Sequence, residues 1–419
     1  MKISANFRKQ SFFVVILFSL AIAIKSCKHR VKESTNELEA TINSRADYLI
    51  RATELAQELL IVDTHIDLPY WLLENDVDVS DSINIGHFDY HRAKQGGLNV
   101  PFMSIYIPVD QQEVGQAKDL ADSLIDMVEE VAEKSPDKFA IPFSTNDVEE
   151  HFSQGLISLP LGMENGAGIE DNLENLKHFY DRGIRYITLT HSESNLIGDA
   201  SFSTDRPWNG LSPFGEGVIA EMNRLGIMVD ISHVTDKTFF DVMDLTNAPV
   251  IASHSSCQHF TPDWDRNMSD ELIIALAKNR GVIQINILLP FISNEHKNAI
   301  DSAFTIAASQ AESALGDQGL RLIDEIMENA SLAEINVSNV ADHIDHVVQL
   351  TSIDHVGLGT DFGSVNWLPV DFKDVSQYPN LIAELLRRGY SDEDISKICG
   401  GNLMRVWREV EEKAKKETR

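Results

Sequence analysis

The sequence predicts an α/β fold, a closed parallel (β/α)8 or TIM barrel carrying extra helices. Eight short apolar, β-branched runs alternate with amphipathic helical patterns along most of the chain, which is how βα units wind into a parallel sheet. Several of the runs also end abruptly in ionisable residues. On a barrel, that end of the strands is where reactive groups gather.

The first run, Leu59 to Val62, leads into Asp63, His65 and Asp67. Side chains two apart on a strand share a face, so His65 and Asp67 converge if the extended backbone persists. One imidazole and one carboxylate make half of a zinc site. Two further His-x-Asp triplets act as internal controls. His343/Asp345 lies in a helical pattern (Val340, Ile344, Val347, Val348), where residues two apart diverge, and His87/Asp89 follows a glycine in a polar loop.

The later strands are expected at Leu98 to Ile107, Ile157 to Met163, Arg185 to Thr190, Ile227 to Ile231, Pro249 to Ser253, Val282 to Ile287 and Val356 to Gly359. A helical pattern (Tyr48, Ala52, Leu55, Ala56, Leu59) precedes the first strand, and others lie between, such as Leu120/Leu124/Met127/Val131. The pattern Val218/Ile219/Met222/Leu225 stops at Gly226, a C-cap signal. The connection after Leu288 is longer than one helix needs. It marks an insertion around residues 288–340, with helices expected at Ile300 to Ser313 and Leu320 to Glu328, suited to a lid or to contact with a second copy of the chain, a homodimer. Leu381 to Arg388 and Ile395 to Trp407 are expected as terminal helices packed on the barrel.

The chain has 419 residues, 43% hydrophobic and 24% charged. That composition is globular, and one barrel domain over residues 42–419 accommodates it. The formal charge of −30 repels polyphosphates and argues against nucleic acid as a partner. At the amino end, Lys2, Arg8 and Lys9 precede an apolar run from Phe12 to Ile24 broken only by Ser19, too short for a membrane span and suited to a secretory signal. Ser26 and Cys27 follow, an arrangement that resembles a bacterial lipoprotein signal with Cys27 as the lipidated residue, although Lys25 departs from the usual pattern. Ordinary signal cleavage is the plainer reading. Residues 1–26 are thus read as signal, 27–41 as a polar tether of up to about 45 to 50 Å if extended. The expected location is outside the cytoplasm, anchored by lipid to a bacterial membrane on its periplasmic or cell-surface side. Cys257 and Cys399 are read as free core residues, although that compartment would permit a disulfide.

Just after the strands stand His65 and Asp67 (first), Glu164 (third), His191 (fourth), His233 (fifth), His254 (sixth) and Asp361 (eighth). Singly, each has a plain explanation: a histidine after an apolar run is commonly a hydrogen-bonded cap, and Glu164 before Asn165-Gly166 a turn acid. Those explanations would have to coincide on one rim six times. His29, His151, His178, His259, His296 and His346 fall in loops or helical patterns and are not proposed as ligands.

Three imidazoles (His65, His233, His254) and two carboxylates (Asp67, Glu164) exceed what one tetrahedral zinc takes and suit two metals with Glu164 as the bridge. Zinc lowers the pKa of bound water to about 7, so a metal-bridging hydroxide is the expected nucleophile. Asp361 stands where a general acid/base would, leaving His191 to face the developing oxyanion. The reaction class is metal-assisted hydrolysis of an amide-like bond.

These residues lie in blocks that resemble the membrane dipeptidase (renal dipeptidase) family of metal-dependent barrel hydrolases. The blocks are Val62-Asp-Thr-His-Ile-Asp-Leu-Pro69, Gly162-Met-Glu-Asn-Gly166, Arg185-Tyr-Ile-Thr-Leu-Thr-His191, Asp230-Ile-Ser-His233, Ala248-Pro-Val-Ile-Ala-Ser-His-Ser-Ser256, Arg266-Asn267 and Val356-Gly-Leu-Gly-Thr-Asp361. The resemblance implies two Zn2+, one held by His65 and Asp67, the other by His233 and His254, with Glu164 between them. It also implies that Arg266 grips the substrate carboxylate, a role the residue pattern alone does not reveal. The implied substrates are dipeptides, a C-terminal D-residue included. Two segments depart from the animal enzymes' pattern: the residues after Glu164, and Cys257-Gln-His259 before Arg266. Two alternatives stand beside this reading. One is a lactone- or nucleoside-hydrolysing barrel relative, which would usually open with His-x-His where Asp67 stands; the other is a non-catalytic peptide-binding lipoprotein.

Overall fold

The structure is a computed structural model that describes residues 46–310 and 317–417. Contacts divide the chain into residues 1–51 and 52–419. Of the first unit, the described residues 46–51 are helical. The expected signal, Cys27 and the tether lie outside the described residues.

The second unit carries ten strands: β1 (Ile61–Ile66), β2 (Leu98–Tyr106), β3 (Phe139–Ala140), β4 (Ile157–Ser158), β5 (Leu161–Glu164), β6 (Ile184–Thr188), β7 (Met228–Asp230), β8 (Ile251–Ser255), β9 (Val282–Ile285) and β10 (Val356–Leu358). Eight of them form one parallel sheet in the order β1-β2-β5-β6-β7-β8-β9-β10. The order follows the chain, with β3 and β4 lying outside this sheet. The sheet closes beyond the strand ends, where Asp361 N–H donates to His65 O at 3.0 Å and Asp67 N–H to Phe362 O at 2.8 Å. Asp63 ties the same seam. It accepts from Thr360 N at 2.9 Å and Thr360 Oγ1 at 2.5 Å, and from the Tyr378 hydroxyl.

One expected strand is two. The run Ile157 to Met163 breaks at Leu159-Pro160, and its first half, β4, pairs with β3 in a separate two-stranded sheet. Proline has no N–H to give a central ladder, so only β5 enters the barrel. The pair Phe139–Ala140 is too short to leave a periodic signal.

A column of rings fills the barrel. Trp407, fully buried on the C-terminal helix Asn402–Glu417, lies 5.5 Å from Phe102, and Phe102 lies 5.4 Å from Tyr186. Val62, Met228, Ile251 and Val282 pack with that helix in one cluster, so it plugs the end opposite the polar rim. Tyr186 has room to cross because Gly162 faces it. A Cβ there would stand 2.0 Å from the ring.

The insertion is helical, as expected, at Leu289–Ile292, Asn294–Gln310 and Asp317–Asn329. Ala303, Ala307 and Ile323 form their own small apolar cluster, joined by Trp367 from the loop after β10. The last three residues of the helix expected to end at Ser313 lie outside the described residues. Cys257 and Cys399 are both buried and unpaired. No helix among the described residues is long and apolar enough to cross a membrane.

Candidate metal centre

The ends of β1, β5, β7, β8 and β10 bring His65, Asp67, Glu164, His233, His254 and Asp361 to one rim, each at least nine-tenths buried. Glu164 is central. Its Oε1 lies 3.2 Å from both His233 Nε2 and His254 Nε2, while its Oε2 lies 3.4 Å from His65 Nε2. His65 Nε2 is in turn 3.5 Å from Asp67 Oδ1. With His191 added, three groups among the described residues present ligand atoms close enough to hold a cation: His65/Glu164/His254, Glu164/His191/His233 and His65/Asp67/Asp361.

The backbone at this rim is turned. Asn165, His233 and Asp361 have φ of 73°, 70° and 67°, a left-handed conformation that non-glycine residues rarely hold. Strain of this kind collects where side chains must be aimed rather than merely packed. No residue-type pattern announces it.

The donor set fits a metal ion. Two ligands bound tetrahedrally at about 2.0–2.1 Å stand about 3.3 Å apart, close to the separations around Glu164. Two buried ligand atoms, His65 Nε2 and Asp67 Oδ1, have no hydrogen-bond partner, an arrangement that costs free energy unless something fills it. Protonation follows the same logic. Burial pushes His65 down, but Tyr186, Glu164 and Asp67 together raise it well above the ordinary value. Burial alone would raise Glu164, yet the surrounding rings of His65, His191, His233 and His254 hold it well below the usual range. His233 and His254 are lowered by burial first, then by Arg266 and by His65 respectively. Neutral imidazoles keep a lone pair for a metal.

His191 stands at the mouth, its side chain 20% exposed and its Nε2 3.6 Å from Glu164 Oε1. Asp361 Oδ2 accepts from Asn286 Nδ2 at 2.7 Å, and burial, then Asp67, push its carboxyl up to about 7. Arg266 is 2% exposed; Nη1 donates to Ser255 Oγ and Nη2 to His254 O, both at 2.7 Å, with His233 Nε2 at 3.0 Å. Its Nε has no partner.

Two strands credited with no polar group also contribute. Ser104 on β2 reaches Glu164 Oε2 at 3.4 Å, and Asn286 after β9 holds Asp361. Tyr106, paired in register with Glu164, lies 4.9 Å from the His191 ring. Asp230 accepts from Thr188 Oγ1 and Ser253 Oγ at 2.5 Å, and Ser253 Oγ lies 2.7 Å from His254 Nδ1. The available signal was a polar residue inside a run otherwise read as buried strand. The other two His-x-Asp triplets enter none of these groups, His87 accepting instead from Gly363 N–H at 3.0 Å. Asp89 caps the helix Tyr90–Gly96, and Asp345 pairs with Arg388.

The model of the membrane dipeptidase family, peptidase family M19, matches residues 49–419. The dipeptidase verJ of Clonostachys rogersoniana is 32% identical over 380 residues, 87% of this chain and 88% of that protein. An uncharacterized dipeptidase of Schizosaccharomyces pombe is 30% identical over 368 residues, covering 84% and 81%. Among solved structures, the probable dipeptidase PvdM of Pseudomonas aeruginosa superposes with a TM-score of 0.75 at 25% identity, over 88% of this chain and 99% of that one. A metallopeptidase of Rhodobacter sphaeroides, liganded with a phosphinate mimic of L-Ala-D-Ala, shares the fold at TM-score 0.70 and 24% identity, over 84% and 99%. With the barrel closed around a metal-competent rim and the match running from residue 49 to the C-terminus, this chain belongs to the membrane dipeptidase family, peptidase family M19.

Proposed function

We propose that the chain hydrolyses dipeptides, including those with a C-terminal D-residue, with two zinc ions at the rim of the barrel. His65 and Asp67 hold one ion, His233 and His254 the other, and Glu164 joins them. The observation that carries this reading is that the two oxygens of Glu164 face different imidazole sets at 3.2 to 3.4 Å. When bound, such a pair of cations supplies Lewis acidity and lowers the pKa of water.

The remaining steps belong to the chain's own groups. Arg266 is a buried guanidinium with no carboxylate within 4.0 Å among the described residues. A buried cation with no carboxylate in direct contact is costly and calls for an anionic guest, here the free carboxylate of the dipeptide. Asp361, held by Asn286, moves the proton from the attacking water to the leaving nitrogen. Its raised value favours a proton-carrying group near neutrality, and cations beside it draw that value down toward the base form. His191 faces the carbonyl oxygen from the mouth, where a neutral ring N–H can donate to the developing oxyanion. Tolerance for a D-residue finds support in the phosphinate-liganded fold relative, whose ligand mimics L-Ala-D-Ala.

Purified protein is expected to hold about two zinc ions per chain and to cleave L-Ala-D-Ala or Gly-D-Ala. Protein without divalent metal that leaves every dipeptide intact, or that prefers lactones or nucleosides, overturns the reading. Export and lipid attachment at Cys27 complete the proposal: Cys27→Ser is expected to release the enzyme from the membrane fraction, and unchanged membrane association contradicts it.

A further inference from the structure

We propose that Tyr186 is a positioning residue for the metal centre: its hydroxyl, reaching across the barrel from β6 to β1, fixes His65 with a proton on Nδ1 and thereby leaves Nε2 to hold the cation. The inference rests on the dinuclear reading above but concerns a residue outside the ligand set.

The argument is a proton count. The Tyr186 hydroxyl lies 2.9 Å from Thr64 O and 3.0 Å from His65 Nδ1. A carbonyl oxygen only accepts, and a phenol has one proton to give. That proton goes to Thr64 O, so His65 Nδ1 must donate to the phenol oxygen. The reverse arrangement would set two oxygen lone pairs against each other at 2.9 Å in a fully buried place. With Nδ1 protonated toward Tyr186, Nε2 is the ring atom that faces Asp67 and Glu164, at 3.5 and 3.4 Å, and so the one that exchanges its proton for a cation. His65 Nε2 is the atom left without a hydrogen-bond partner there.

His254 is secured by the same device in different chemistry. Ser253 Oγ gives its proton to Asp230 Oδ2 at 2.5 Å and so accepts from His254 Nδ1 at 2.7 Å. His233 has no such support, its Nδ1 lacking any partner. Metal-bound imidazoles usually donate their second N–H to an outer partner, which sets ring angle and tautomer. Tyr186 can serve because it is itself immobile. It packs at a tilt against Phe102, which in turn packs on Trp407, and Gly162 gives its ring room, since a Cβ there would stand 2.0 Å from Cζ.

The test compares full-length wild type with Tyr186→Phe and Gly162→Ala. Tyr186→Phe keeps the ring and deletes the hydroxyl, while Gly162→Ala keeps the hydroxyl and pushes the ring away. Zinc is titrated against a chromophoric chelator, and the ring N–H resonances are recorded with and without zinc, His65 being assigned by its loss in His65→Gln. The expected results are a slowly exchanging His65 Nδ1–H signal in wild type that disappears in Tyr186→Phe. One of the two zinc equivalents is expected to be weakened about 10–100-fold in both variants. A purely structural role leaves zinc affinity in Tyr186→Phe untouched. Wild type without the Nδ1–H signal, or Tyr186→Phe that binds both equivalents as tightly as wild type, overturns the proposal. The resonance is read in metal-free protein as well, so a wild type that takes up fewer than two zinc ions defeats the dinuclear reading while still deciding the role of Tyr186.

Discussion

His65 and His343 stand in the same three-residue pattern, each two residues before an aspartate, and both are fully buried. Their protonation runs in opposite directions. Burial lowers both, but around His65 the Tyr186, Glu164 and Asp67 groups reverse the effect and raise it well above the ordinary value. His343, on the helix Val337–Leu350, accepts from the Cys257 N–H at 3.1 Å, faces Ile292 O at 3.3 Å and packs on Phe260, and burial takes it down to about 3. Its aspartate, Asp345, turns outward to Arg388. Burial sets the cost of a charge, and neighbours decide whether the cost is met. In the function proposed above, the first histidine serves a cation and the second serves packing.

That contrast breaks most visibly at Glu164, the group that makes the His65 side different. Glu164→Ala is expected to lower dipeptide turnover on the order of 10³-fold or more, since residues acting as one unit fail together, with zinc content falling in parallel. Near-normal turnover would remove Glu164 from the bridge. Chelation is next: stripping divalent ions should abolish activity and lower the melting temperature, with both restored by zinc, because a ligand bound only to the folded state stabilises it by mass action. A melting temperature indifferent to chelator would mean that the rim carries no tightly bound ion.

On the other side, His343→Leu deletes two buried hydrogen bonds and is expected to cost about 1–3 kcal/mol of stability, while turnover per folded molecule stays at the wild-type level. A loss of specific activity would show that the helix reaches the site. Acid sharpens the same point. A histidine whose folded value is depressed to about 3 supports the fold fully above its unfolded value near 6.5 and loses that support as pH falls from there toward 3. Urea midpoints between pH 7 and 4 should therefore fall less steeply in His343→Leu than in wild type. An unchanged slope would assign the acid loss to other groups. The smallest effect is expected for Asp345→Asn, whose partly exposed pair with Arg388 is worth about 1 kcal/mol or less. A larger drop in melting temperature would reveal the Arg388 network as a main support.

Most of the barrel was legible because parallel strands buried on both faces read as continuous apolar runs, and the helices between them keep a 3.6-residue stripe. All eight barrel strands overlap expected runs, although β1, β5, β6 and β8 each reach one to four residues beyond them. The break at Pro160 was overlooked because the apolar pattern continues through it, although its missing N–H already argued for a strand end. His65, Asp67, Glu164, His191, His233, His254 and Asp361 were legible as polar stops after apolar runs. Tyr186, Asp230 and Asn286 were not, since they lie inside or at the edge of those runs and their partners come from other strands. Arg266 sits between β8 and the helix Asp270–Lys278, where local pattern says only loop.

From the sequence alone came the periodicity, and hence the strands, their order and the ionisable groups waiting at their ends. Each of these depends on residues close together in the chain. Closure of the sheet between β1 and β10 belongs to the tertiary structure, as do the turned backbone at His233 and Asp361 and the protons that Tyr186 and Ser253 assign. These depend on groups that meet only after the barrel has closed, and a charge or a tautomer is settled by what lies within a few ångströms in space.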